Sequence, residues 1–132
     1  MTVEQMRICD WQGVLHQETV IDYPSLEKIE MAIQALNNQN LNDIYLQIND
    51  DAWLCIGGGD GQYLLTGAIG DEAFPTLVDA NKSALPKILL TVGGQTGEYP
   101  SNWIHDLTQT LIAVRDFYHS EGYSTNINWV NV

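Results

Sequence analysis

Positive charge is scarce in this sequence. Five Lys and Arg stand against 17 Asp and Glu, a formal charge of −12 over 132 residues. Such a surface repels phosphate, which argues against DNA, RNA and anionic membranes as partners. Cysteine is scarcer still. Cys9 and Cys55 are the only two, too few for a disulfide scaffold. No apolar run approaches the roughly 18 residues of a membrane-spanning helix. Residues 1–7 show neither the basic nor the apolar segment of a signal peptide. These absences predict a cytoplasmic chain with reduced thiols that pack as small hydrophobes. Internal repeats, low-complexity tracts and Pro- or Ser-rich linkers are also missing. What is present is enough for one domain. The hydrophobic content is 45%, and a chain of this length buries a core without staples.

Periodicity predicts the elements. Residues 3–10 read as a strand, and 11–22 as a loop or a second short strand. A helix starts near Pro24, with Leu26, Ile29, Ile33 and Leu36 on one stripe. Residues 37–40 end it. Ile44, Leu46 and Ile48 alternate with more polar neighbours in the next strand. Strands over 52–56 and 62–68 follow. Asn49, Asp50 and Asp51 make the first turn, and glycine-rich 57–61 makes the second. Such short connections predict an antiparallel meander. Residues 70–86 read as a loop. Residues 87–92 read as a dense apolar strand, central and covered on both faces. A second helix is expected from a cap at Ser101 or Asn102, with Ile104, Leu107, Leu111, Val114 and Tyr118 on its stripe. Gly122 stops it, and 127–130 is a last strand. The order β-α-β-β-β-β-α-β predicts an α+β fold. It has one mostly antiparallel sheet of five or six strands, with two amphipathic helices on one face.

Motifs of catalysis are missing. His16, His105 and His119 are far apart in sequence. On one helix, His105 and His119 would stand about 21 Å apart, too far to share an ion. No H-E-x-x-H, C-x-x-C or EF-hand order occurs. Asp50, Asp51 and Asp60 could gather at one end of the meander around calcium, but solvated turns explain them better. Gly57, Gly58, Gly59 and Gly61 precede a strand, so they form a hairpin turn and not a phosphate cradle. Gly93, Gly94 and Gly97 read as a tight strand-to-helix connection, where Glu98 would repel phosphate. No G-x-S-x-G elbow exists. The expectation is a protein that is not an enzyme and has no metal and no cofactor.

The charge is unevenly spread. Residues 29–81 contain no Lys or Arg, but hold Glu30, Asp43, Asp50, Asp51, Asp60, Asp71, Glu72 and Asp79. Tyr45, Trp53 and Tyr63 lie among them. Aromatic anchors with carboxylates around them fit a basic protein partner. The contact residues expected are Asp50, Asp51, Trp53, Asp60 and Tyr63, with Glu98 and Tyr99 as a second patch.

The segment 90–100, LTVGGQTGEYP, leads into the second helix. That helix closes on 117–123, FYHSEGY, before Ile127, Asn128 and Trp129. In this order and spacing the chain resembles immunity protein family one of bacterial polymorphic toxin systems. The helix start at 23–27, YPSLE, and the central meander fit the same layout. The resemblance covers roughly residues 20–132. Many members have a proline where this chain has Ser124, Thr125 and Asn126. The resemblance implies a small cytoplasmic protein that binds and blocks the basic catalytic domain of a toxin. That toxin is often a deaminase acting on nucleic-acid bases, and sometimes a nuclease. It implies no catalytic motif. Two other readings stand beside it. One is a scaffold or adaptor subunit using a sheet edge. The other is a small ligand-binding or enzymatic domain at the Gly93 to Gly97 turn.

Overall fold

The computed structural model describes residues 3–132. Met1 and Thr2, part of the stretch read for a signal peptide, lie outside them. β1 (Gln5–Gln12) and β2 (Leu15–Asp22) form one hairpin, in register from Gln5↔Asp22 to Gln12↔Leu15. Residues 11–22 therefore supply a full second strand. α1 (Leu26–Ala35) begins where Ser25 accepts the Lys28 N–H, with Glu27 in its positive first turn. Its Ile29 and Ile33 are buried.

β3 (Leu41–Asn49), β4 (Ala52–Gly59) and β5 (Gln62–Ile69) make the expected antiparallel meander. The second turn is shorter than the glycine run. Asp60 and Gly61 alone form it, both at positive φ, as a two-residue hairpin loop requires. Gly57, Gly58 and Gly59 belong to β4 instead. A Cβ on Gly57 would stand 2.6 Å from the Val92 side chain, so glycine there lets another layer approach.

Four expectations are corrected downstream. The loop 70–86 contains β6 (Pro75–Leu77). The apolar strand, β7 (Ile88–Val92), is not central. Among the described residues it pairs only with β8 (Gln95–Tyr99), in a separate two-stranded sheet. Gly93 and Gly94, both at positive φ, are the hairpin turn between them and not a link to a helix. The second helix also starts late. A 3-10 turn at Ser101–Trp103 leads into β9 (Ile104–His105), and α2 spans Leu107–His119. Asp106 sets that start. Its side chain accepts the Gln109 N–H, and the Gln109 side chain accepts the Asp106 N–H, a reciprocal capping box. Ile104 and His105 thus leave the helix and pair with Leu64 and Tyr63 of β5. Gly122 donates to the Phe117 carbonyl and ends α2 as expected. β10 (Trp129–Asn131) closes the chain.

The main sheet runs β10-β6-β5-β4-β3-β1-β2, with β9 also on β5. Every pairing is antiparallel. The fold is α+β, with ten strands among the described residues, more than the five or six expected. Alternation in the strands sends Met6, Ile44, Leu46, Leu54, Ile56 and Leu65 to one face. There they share a core with Ile29 and Ile33 of α1 and with Val114 and Phe117 of α2. Arg115 bridges the helices through two hydrogen bonds to Glu30, at 2.7 and 3.0 Å. No helix among the described residues is long and apolar enough to cross a membrane.

His105 joins β9 to β6 through a buried 2.8 Å hydrogen bond from Nε2 to the Leu77 carbonyl. Burial lowers its pKa below the ordinary 6.5, against the carbonyl contact, and nearby Lys82, Asp79 and Asp106 act more weakly. The unfolded chain therefore binds this proton more readily. Stability falls as pH drops through the ordinary histidine range. Urea midpoints should decrease between about pH 7.5 and about pH 5.5, and His105→Gln should flatten part of that slope.

Candidate functional site

The helices leave the opposite face of the sheet free. Register assembles that face from alternate residues. β1 offers Arg7, Cys9 and Trp11, opposite Val20, Glu18 and His16 of β2. On the other side of β1, Arg7 meets Tyr45 and Cys9 meets Asp43 of β3. Those two in turn face Cys55 and Gly57 of β4. The β7–β8 hairpin roofs part of this surface. Leu90 packs with Leu64 and Ile104, and Val92 rests on Gly57. Side chains of the helix exit and of β3 hold the roof. Asn38 Oδ1 accepts the Thr91 N–H at 2.7 Å, and Asn42 Oδ1 accepts the Gly94 N–H at 3.2 Å.

A polar cluster lies at the edge of the roof. Asp43 is fully buried. Its Oδ1 accepts the Trp11 indole N–H at 2.8 Å. The carboxyl also interacts with the Cys9 thiol and the Tyr45 phenol. Cys9 and Cys55 are buried and free. Burial, then Asp43 and Glu18, pushes the Cys9 thiol up to about 12. Burial first, and Asp43 second, raises Cys55 further. Burial, Cys55 and Asp43 likewise hold the Tyr45 phenol protonated. Neither thiol is an activated nucleophile in this setting. On the hairpin itself, donor atoms of Cys9, His16 and Glu18 all fall within 4.8 Å of one another.

Beyond the roof, the face opens into a hollow of about 290 Å³ lined by Arg7, Glu18, Tyr45, Gln47 and Trp53. Trp53 is 37% exposed, and its ring meets Tyr45 at 5.9 Å in a tilted contact. The adjoining end of the sheet is acidic. Asp50 and Asp51 turn between β3 and β4, and Asp71 and Glu72 follow β5. The Gly70 N–H bonds the Asp51 carbonyl at 2.6 Å, tying these two turns together. Glu4 and Asp22, flanking the first hairpin, reach the same end through backbone bonds and register.

The expected contact residues separate on this surface. Asp50, Asp51 and Trp53 come together. Asp60 does not join them. It sits past the other end of β4, about 23 Å away along the strand, which also removes the calcium grouping of Asp50, Asp51 and Asp60. Tyr63 is 3% exposed and belongs to the helix-side core, because its strand parity points it away from Trp53. Glu98 and Tyr99 fall on opposite faces of β8. Glu98 is exposed, whereas Tyr99 packs into the cluster under the roof, where burial raises its pKa. Arg7, Glu18 and Gln47 were not expected at the site. Their signal was the alternation 5-7-9-11 against 16-18-20-22, visible only once residues 11–22 are taken as a strand. A second, larger hollow of about 420 Å³ lies beside His105, Gln109 and Asn128.

Comparison with protein-family models, with curated proteins and with solved structures finds no match.

The Trp11–Asp43 bond is testable alone. Trp11→Phe keeps an aromatic ring but removes the donor to a buried carboxyl. Denaturant unfolding should show a loss of about 1–3 kcal/mol.

Proposed function

We propose that this chain is an immunity protein: a stoichiometric inhibitor that binds and blocks the catalytic domain of a cognate bacterial toxin. The observation that carries this reading is the pairing of the Trp53–Tyr45 hollow with the acidic end of the sheet. An exposed aromatic is a typical anchor at the centre of an interface. Asp22, Asp50, Asp51, Asp71 and Glu72 are all exposed around it. Of the five bases, Arg7 is turned toward Glu18 and Arg115 is taken by Glu30. The net field at this end favours a basic partner, such as a toxin domain with a groove for nucleic acid. The sequence resemblance to immunity proteins supports the same partner class, with a deaminase or a nuclease as the toxin. Inhibition needs no catalytic group here, only occupancy of the groove by carboxylates. On this reading the protein works in the cytoplasm of the producing cell.

A scaffold or adaptor role is the second reading. β2 ends the sheet order, and its residues are almost all exposed, so its free edge could accept a strand from another protein.

Co-expression with the toxin domain encoded by the neighbouring reading frame tests the first reading. The chain should restore growth and form a one-to-one complex. Trp53→Ala should weaken that complex by about 2–4 kcal/mol. Asp60→Ala, at the far end, should leave affinity within about twofold. The association rate should fall steeply with added salt. A complex indifferent to both Trp53→Ala and salt, but lost on proline substitution in β2, would favour the adaptor reading.

A further inference from the structure

We propose that the β1–β2 hairpin carries a binding site for a zinc-class divalent metal ion, ligated by Cys9, His16 and Glu18. The site goes beyond the inhibitor reading and does not depend on it. Hairpin register brings the three ligands to one face. Cys9 lies directly across from Glu18, and His16 directly across from Trp11, two residues along. Their donor atoms lie within 4.8 Å of one another. An ion centred among them would stand at most about 2.8 Å from each, and shifts of about 0.5–0.8 Å reach zinc–sulfur and zinc–nitrogen bond lengths.

The surroundings orient these ligands. The His16 ring rests against Trp11, with centroids 4.4 Å apart, and its Nε2 faces Glu18 Oε2 at 3.9 Å. Arg7 approaches the other Glu18 oxygen at 3.6 Å, so Oε2 is the oxygen left for the ion. Asp43 stands behind them. Its carboxyl group is completely buried, pairs across from Cys9, and interacts directly with that thiol. Its Oδ1 is held by Trp11, the residue that also positions His16. Asp43 and Trp11 form the outer layer that positions the ligands of a cation at the hairpin. On binding, Cys9 releases its proton to solvent and its sulfur bonds the ion.

The donor set selects the ion. One thiolate, one imidazole and one carboxylate suit zinc and its neighbours, not the hard cations magnesium and calcium. Three protein ligands leave one coordination position for water or for a group brought by a partner. Glu18 also lines the Trp53 hollow, so the ion would border the docking face.

The test uses the full chain, reduced and stripped with a chelator. Calorimetric titration with zinc should give one site per chain, absent with magnesium. Cobalt should bind in its place and produce a thiolate-to-metal charge-transfer band. Cys9→Ser should abolish that band. His16→Gln and Glu18→Gln should each weaken zinc binding at least about tenfold, whereas His119→Gln should not. Both are exposed positions, so these variants decide the matter even if Cys9→Ser does not fold. No zinc binding by the folded chain, a cobalt spectrum without the thiolate band, or unchanged affinity in His16→Gln and Glu18→Gln would each overturn the proposal.

Discussion

Both helices pack on the same side of the sheet, and the opposite side must be closed by other means. A central strand pair left open on one face exposes apolar surface or requires polar residues there. This chain does both. It folds the β7–β8 hairpin over one part, and fills another part with Asp43, Tyr45 and two thiols. The rest stays open as the Trp53 hollow. The roof, the buried Asp43 and the Trp53 hollow all sit on that second face. The helix face is a conventional apolar core centred on Phe117, Ile33 and Leu54.

The roof depends on glycine in β4. Gly57 and Gly58 contact Val92 and Leu90 where side chains would otherwise stand, and Gly59 runs against the backbone of Leu36 and Asn37. The glycine run that looks like an extended turn is therefore a docking strip within a strand. It carries the small sheet on the large one, and it brings the end of α1 close enough for Asn38 to reach Thr91.

The legible parts of the fold were those set by local chemistry. The stripe of α1 and the alternation of β3 each carry their own signal within a few residues. The misplaced parts depended on competition between neighbours. The stripe at Ile104 does fit a helix, but the Asp106–Gln109 box sets the start beyond it. The Gly93–Gly94 pair fits a loop before a helix, and equally a two-residue hairpin turn. The candidate site was half legible. Asp50, Asp51 and Trp53 are close in sequence and remain close in space. Proximity along the chain puts Tyr63 and Asp60 in the same patch, yet strand parity buries one and strand length removes the other. Glu18, His16 and Cys9 come together only through cross-strand register, which no linear spacing rule for metal ligands captures.

The free edge of β2 has one more consequence. An uncapped strand invites pairing with any extended chain, and the commonest extended neighbour in a concentrated solution is a second copy of the same protein. Here the edge carries Glu18 and Asp22 and no Lys or Arg between Leu15 and Asp22. Joining two such edges would press together two molecules that each bear a charge of −12. The surplus of carboxylates thus works against self-association along this edge.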